Sequence, residues 1–120
     1  MALVTEDQVE LQSIEWFKEL GYQYQCGYDI AVDGGTPERS DYRSVVLKDR
    51  LLSALTRLNP EIPQSAIDTA LPQLINPNIP ALMSCNRQVH SWMTKGVKVA
   101  YQDGNETVGK QVRVIDFENP

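Results

Sequence analysis

Two glutamates near the N-terminus, Glu6 and Glu10, are the side chains of this sequence best suited to bind a metal ion. On a helical wheel at about 100° per residue, both fall in the same arc as the apolar residues Val9, Phe17 and Leu20. A carboxylate on an apolar, core-facing arc is costly to bury unless it meets a partner, a metal ion or solvent. The pattern therefore leaves two interpretations open: metal ligands, or carboxylates at the wet rim of a helix.

The second interpretation explains each glutamate in a different way. Glu6 lies in the first helical turn, where the helix dipole favours negative charge, and Glu10 is long enough to extend to the rim. From the pattern alone this interpretation is favoured for both residues, and more strongly for Glu6.

Two polar residues further along the chain, Asn86 and His90, also interrupt an apolar helical pattern. Asn86 lies among Leu82, Val89 and Met93, which predicts a buried amide bonded to nearby backbone, with a role in a site as the alternative. His90 is the only histidine and has no acidic or hydroxyl residue in an evident motif with it. We expect a partly buried structural histidine and no general base.

The sequence contains no motif for a zinc site, a nucleotide-binding loop or a catalytic serine elbow. Cys26 and Cys85 are far apart and have no zinc-ligand spacing, so we expect two reduced, buried, apolar fillers in a cytoplasmic protein. The pair Gly34-Gly35 is followed by Thr36-Pro37, which matches neither a P-loop nor GxGxxG. No GxSxG nucleophile elbow is present.

Size and charge limit the function classes. A chain of 120 residues is one domain or part of one. Its net charge of −5 predicts poor binding of nucleic acid by the chain as a whole, although folding could still cluster some of the basic residues. The sequence has neither a signal-peptide pattern nor the roughly 20 apolar residues of a membrane span.

The first half of the chain carries clear helix signals. Thr5 with Gln8 fits a capping box, and the helical period that follows stops at Gly21. The aromatic and β-branched segment 22–32 predicts one or two short strands before the Gly34-Gly35 turn. Ser40 is predicted to cap a second helix, which must end near Asn59-Pro60.

The second half predicts two more helices and a hairpin. Pro63 suits the first turn of a third helix that Pro72 shortens or bends, and Pro80 opens a fourth helix that stops at Gly96. Alternation then begins at Val97, and the sequence 103–105 (Asp-Gly-Asn) predicts a reversal into a second β-rich run through Val112, Val114 and Phe117. The fold class expected is α+β, several helices followed by an antiparallel hairpin, with further strands after residue 120 because a lone hairpin is marginally stable.

The order of these landmarks resembles the N-terminus of the restriction subunits of type I restriction enzymes. The matching pieces, in order, are Thr5-Glu6, Val9-Glu10, Leu20-Gly21-Tyr22, Gly27-Tyr28-Asp29-Ile30, Glu38-Arg39, Val46-Leu47, Arg50-Leu51, Ala54-Leu55, Leu58-Asn59-Pro60, Asn86 with His90, Lys95-Gly96-Val97, Ile115-Asp116-Phe117 and Asn119-Pro120. Each piece is unspecific alone, and their joint order is what carries the resemblance.

The resemblance implies the N-terminal part, residues 1–120, of a restriction-endonuclease-like nuclease domain, in which helices flank a mixed sheet and carboxylates hold Mg²⁺. Glu10 then matches a first-helix glutamate that assists metal binding, and Glu6 has a weaker case. The family's catalytic aspartate and Glu-x-Lys pair are expected beyond residue 120, and this chain contains neither Asp-x-Lys nor Glu-x-Lys. The chain alone is therefore expected to be inactive.

The resemblance also implies partners: DNA, the methylation and specificity subunits of a type I enzyme, and ATP for a downstream motor only. A different class of function stays open, a small cytoplasmic protein–protein interaction module that docks through exposed apolar surface. An autonomous DNA-binding domain is disfavoured by the acidic balance, since Lys48 and Arg50 on the second helix are explained as a solvated face beside Asp49.

Overall fold

A computed structural model describes residues 3–119 as helices followed by a β-hairpin. The elements of this part of the chain, in order, are α1 (Glu6–Glu19), α2 (Gly27–Ile30), α3 (Lys48–Leu58), α4 (Gln64–Ile75), α5 (Leu82–Lys95), β1 (Val97–Asp103) and β2 (Glu106–Val112). The α+β class, and the order of helices before an antiparallel hairpin, are confirmed. Membership of a larger mixed sheet stays a prediction.

The chain divides into two compact units, the first ending at Arg43 and the second starting at Ser44. In the first unit, no residue between 3 and 43 is buried, so these residues form no core among themselves. The core of the second unit consists of nine apolar residues, Leu55, Ile62, Ala66, Ile67, Ala70, Leu71, Val97, Val99 and Val112.

The segment 22–32 forms no strand, so the strand prediction for it is wrong. Residues 22–25 belong to no helix or strand, and Gly27–Ile30 form the one-turn helix α2. The loop after α2 folds back on it, because the N–H groups of Thr36 and Glu38 donate to the carbonyls of Asp29 and Ile30 at 2.9 and 3.0 Å. The aromatic and β-branched composition favours a strand, but these local hydrogen bonds already satisfy backbone polar groups of the segment.

The second predicted helix starts later than expected, at Lys48 and not after Ser40. Before it, the Asp41 carboxylate accepts from the N–H of Arg43 at 2.8 Å, a side-chain-to-backbone bond that holds a turn and competes with helix formation. The predicted end is confirmed, because α3 is capped by Asn59 ahead of Pro60.

Helix α4 supplies most of the core of the second unit. Ala66, Ile67, Ala70 and Leu71 recur at helical spacing and are all buried, and the two alanines leave room for α3 and β1 to approach. Pro63 stands at the N-cap and α4 runs through Pro72 to Ile75. Helix α5 starts at Leu82, two residues after the Pro80 start that the sequence predicts, and none of its residues is fully buried.

The hairpin is joined to α5 through Gly96, as predicted. Gly96 has φ +89°, and a Cβ there would meet the Val112 carbonyl oxygen at 2.7 Å. The predicted reversal is confirmed, since Asp103 pairs with Glu106 across a two-residue turn that begins at Gly104, with φ +65°. The alternation of β1 buries Val97 and Val99 against α4, whereas β2 ends at Val112, before Val114 and Phe117.

Within residues 3–119, the helices are too short or too polar for any of them to cross a membrane.

Candidate functional site

Helix α1 carries the two candidate metal ligands, and its ends are well defined. The Thr5 hydroxyl accepts from the Gln8 N–H at 3.3 Å, and the Gln8 side-chain oxygen accepts from the Thr5 N–H at 3.0 Å. This reciprocal capping box confirms the predicted start, and it satisfies two backbone donors that a helix N-terminus otherwise leaves free. Glu6 therefore lies in the first turn of the helix.

The C-terminal end of α1 forms a Schellman motif. The N–H of Tyr22 donates to the Phe17 carbonyl, and that of Gly21 to the Lys18 carbonyl, both at 3.0 Å. Gly21 has φ +96°, which a residue with a side chain adopts only at a cost. The rings of Phe17 and Tyr22 then meet edge to face, with centroids 5.5 Å apart.

A small cleft lies between α1 and residues 22–24, which follow it. It has a volume of about 290 Å³ and is lined by Ile14, Phe17, Lys18, Tyr22, Gln23 and Tyr24. The Lys18 ammonium stands 5.5 Å from the centre of the Tyr24 ring and 3.1 Å from a Glu15 carboxylate oxygen. Three of its six lining residues are therefore aromatic, and one is a lysine.

Glu10 is an electrostatic neighbour of this cleft. The pKa of the Tyr24 phenol is raised above its ordinary value, first by the charge of the Cys26 thiolate, then by a hydrogen bond to Cys26, by desolvation and by the charge of Glu10, while Lys18 opposes the shift. The negative charge of Glu10 thus contributes to the raised pKa of Tyr24, after Cys26 and desolvation.

Both glutamates are exposed, which corrects the premise that they lie on a buried arc. Helix α1 has no buried residue, and Val9 and Phe17, in that same arc, are each 55% exposed. Within residues 3–119 the structure brings together no group of three or more His, Cys, Asp or Glu side chains able to hold a metal ion. Glu10 and Glu6 could therefore each supply one ligand, and not a whole metal centre.

The predicted burial of Asn86 and His90 is wrong, because both side chains are exposed on α5. The half-buried side of the helix carries Cys85, Val89 and Trp92 instead, and Asn86 points about a quarter of a turn away from it. Cys26 and Cys85 are free and half-buried, where full burial was expected.

The one buried polar residue among those described is Asn59, for which the sequence predicts only a helix end. Its amide nitrogen donates to the Leu55 carbonyl at 2.8 Å and to the Arg113 carbonyl at 2.9 Å, and its oxygen accepts from the Arg113 N–H at 2.7 Å. The signal was present in the spacing, since Leu51, Leu55 and Asn59 follow one another at i, i+4 on the apolar face of α3.

Asp116 organises the segment after β2. Its carboxylate accepts from the N–H groups of Glu118 and Asn119 at 3.0 and 3.1 Å, and Arg57 lies 3.6 Å away. The backbone N–H of Asn119 and that of Glu118 are the main reasons why the pKa of Asp116 is below its ordinary value; the Asn119 amide and Arg57 add to this, and desolvation opposes it. The Asp116 carboxylate therefore stabilises a turn of the backbone within the second unit.

Comparison with known proteins decides the family. The sequence profile described as "Type I restriction enzyme R protein N terminus" matches residues 4–120, nearly the whole chain. The chain belongs to this family. The match confirms the resemblance drawn from the order of landmarks, and it includes Glu6 and Glu10.

Two relatives of this R protein N terminus carry endonuclease names. The "Type I restriction enzyme HindI endonuclease subunit" of Haemophilus influenzae is 30% identical over 117 residues, and the "Putative type I restriction enzyme MjaIXP endonuclease subunit" of Methanocaldococcus jannaschii is 29% identical over 119 residues. Each alignment covers 98% of this chain and 11% of the relative, so the chain spans about a ninth of their length. No solved structure matches this R protein N terminus.

Proposed function

We propose that this chain is the N-terminal part of the DNA-cleaving, ATP-dependent restriction subunit of a type I enzyme, and that it contributes the helical flank of a metal-dependent nuclease domain. The observation that carries the proposal is the family match over residues 4–120, supported by two relatives named as endonuclease subunits. In this proposal the catalytic aspartate and Glu-x-Lys pair belong to sequence after residue 120, and the 120 residues alone do not cleave DNA.

The proposed metal is Mg²⁺, and Glu10 is its proposed ligand from this chain. A solvent-accessible carboxylate is a hard oxygen donor of the kind Mg²⁺ prefers, and Glu10 is exposed and free to turn toward an ion. Glu6 is the weaker candidate because its place in the first turn is already explained by the helix dipole. Since the described residues hold no complete ligand set, the remaining ligands must come from elsewhere in the subunit.

The proposed partners are DNA and the methylation and specificity subunits of the same enzyme. ATP is proposed as a ligand of a downstream motor only, and this sequence itself has no phosphate-binding loop. The proposed location is the cytoplasm, where the free cysteines Cys26 and Cys85 would stay reduced.

A protein–protein interaction module without catalysis is the second candidate function. It is favoured by the apolar side chains that α1 leaves exposed, among them Leu11 at 64% and Leu20 at 74%. Contiguous exposed apolar surface often marks a site where another protein binds. The same surface is expected in the first proposal, where the rest of the subunit covers it, so activity must separate the two.

The test uses the complete subunit, expressed in bacteria with its methylation and specificity subunits, and measures the plating efficiency of unmodified phage. We expect restriction by the wild type, loss of restriction by Glu10→Gln, and restriction retained by Glu15→Gln, an exposed glutamate of the same helix that pairs with Lys18. Absence of restriction by the wild type would overturn the function. Restriction by both variants would leave the function standing and remove Glu10 from the site.

A further inference from the structure

The hairpin has an open edge along β2. Helix α4 packs on the other strand, β1, and no further strand within residues 3–119 joins the sheet. Asp103 and Glu106 pair directly across the two-residue turn and therefore exchange backbone hydrogen bonds, and hydrogen-bonded and non-hydrogen-bonded pairs alternate along the ladder from there. The backbone N–H and C=O groups of Thr107 and Gly109 consequently point away from β1, and no other described residue bonds to them. An unpaired strand edge of this kind is a template for another strand.

Charged residues alternate along this edge on one face of the sheet. Successive strand residues point to opposite faces, so Glu106, Val108 and Lys110 share a face. Glu106 and Lys110 are exposed, and neither forms an ion pair within the described residues. Across the ladder Glu106 faces Asp103, and like charges placed directly opposite each other destabilise a strand pair. A cation brought beside Glu106 would relieve this repulsion.

We propose that β2 pairs with β2 of a second copy of this chain, antiparallel and about a two-fold axis at Val108. Thr107 then faces Gly109 of the second copy, so that the outward backbone groups of both strands bond to each other on each side of the axis. Glu106 faces Lys110 of the second copy, and symmetry repeats this ion pair. Two hairpins thereby join into one four-stranded sheet, which is more stable than an isolated pair of strands.

Charge selects this register among those that a two-fold axis allows. An axis moved by one residue, to Thr107 or Gly109, places Glu106 or Lys110 opposite Val108. An axis at Glu106 or at Lys110 places two like charges opposite each other, which is unfavourable. The axis at Val108 is therefore the one that forms both ion pairs.

The outer edge of β1 lacks this self-complementarity. Its two charged residues, Lys98 and Asp103, are five positions apart and point to opposite faces of the sheet, so no antiparallel register of β1 with itself sets one against the other. The edge of β2 is therefore the one suited to a second copy. A pairing of about five residues lies at the low end of specific interface sizes, so we expect weak, concentration-dependent association.

The test is sedimentation equilibrium of the 120-residue chain at concentrations from about 10 µM to about 1 mM. We expect the mean mass to rise from that of a monomer toward that of a dimer. Glu106→Lys and Lys110→Glu each convert two ion pairs into two like-charge pairs, so each should weaken self-association about tenfold or more. An equimolar mixture of the two variants should associate again, because each substituted position then meets an opposite charge.

Lys98→Glu is the matched control. It makes the same charge change on the other strand and on the other face of the sheet, and it should self-associate like the wild type. Equal weakening by Lys98→Glu and Lys110→Glu, or a mixture that associates no better than its components, would overturn the proposal.

The wild-type mass tests the proposal even if a variant fails to fold, which circular dichroism would detect. A wild-type chain that stays monomeric over the whole range would overturn the pairing of two copies and leave this edge to another segment of the subunit. Because no cleavage is measured, either result is independent of whether the complete subunit is a nuclease.

Discussion

Asn59 joins two parts of the second unit that lie 54 residues apart in the sequence. Its side chain is 1% exposed, caps the end of α3 and holds both backbone polar groups of Arg113, directly after β2. A buried amide is tolerated only when its donors and acceptor are satisfied, and here all three bonds are made to backbone. Asn59 therefore fixes where the hairpin leaves the core.

Replacing Asn59 by Ala should destabilise the chain by about 2 to 3 kcal/mol, because three hydrogen bonds are lost and partly buried backbone groups of Arg113 are left without their partner. The measurement is urea unfolding followed by circular dichroism. Asn86→Ala is the matched control, since Asn86 is exposed and its loss should cost less than about 0.5 kcal/mol. Equal costs for the two variants would show that the amide of Asn59 does not hold the unit together.

Individual side chains were harder to predict than the helices that carry them. The apolar spacing of α5 predicts a buried Asn86 and a partly buried His90, yet α5 is only half-buried and both side chains are exposed. Apolar spacing likewise places Glu10 on a core-facing arc of α1, although α1 has no buried residue. Amphipathic spacing indicates which face is apolar, and whether other protein covers that face depends on contacts that the spacing does not contain.

At the scale of elements, the junction between α5 and β1 depends on one glycine. Gly96 has φ +89° and ψ 168°, a conformation that is almost confined to glycine. Its N–H still donates to the Trp92 carbonyl at 2.9 Å, so the helix ends and the strand begins within one residue. The close approach to the carbonyl of Val112 then places β1 beside the end of β2.

Gly96→Ala should lower the free energy of unfolding by at least about 2 kcal/mol, from backbone strain together with the clash of the new Cβ with Val112. Thermal and urea unfolding measure this loss. Gly109→Ala serves as control, since Gly109 has no positive φ and open space around it, and its effect should be neutral or slightly stabilising. A Gly96→Ala protein as stable as Gly109→Ala would contradict the account of the junction.

Elements with a side-chain cap or a glycine stop were predicted well from the sequence. The capping box of Thr5, the stop at Gly21, the end at Asn59-Pro60 and the turn at Gly104 all agree with the structure, because each depends on residues within a few positions. The strand predicted for segment 22–32 and the helix start at Ser40 are wrong. Both predictions depended on the structural preferences of single residues. Hydrogen bonds in the turns around Asp29 and Asp41 override those preferences.

At the scale of the whole molecule, the two units differ in whether their described residues form a buried core. The second unit has a core built from α3, α4 and the hairpin, whereas residues 3–43 of the first unit, which include Glu10, are all at least partly exposed. Relatives of about nine times this length are named as endonuclease subunits. An exposed α1 that carries a single candidate metal ligand agrees with the proposal that this chain supplies only part of a nuclease domain.

Magnesium-dependent cleavage of plasmid DNA by a longer polypeptide from the same gene tests the central claim most directly. The polypeptide would continue the present chain by about 100 to 150 residues, a typical domain's worth. The account predicts cleavage by the longer protein in Mg²⁺, none after chelation, and none by the 120 residues alone. A longer protein that is folded, contains no Glu-x-Lys pair and leaves the plasmid intact in Mg²⁺ would contradict the nuclease assignment and favour the interaction module.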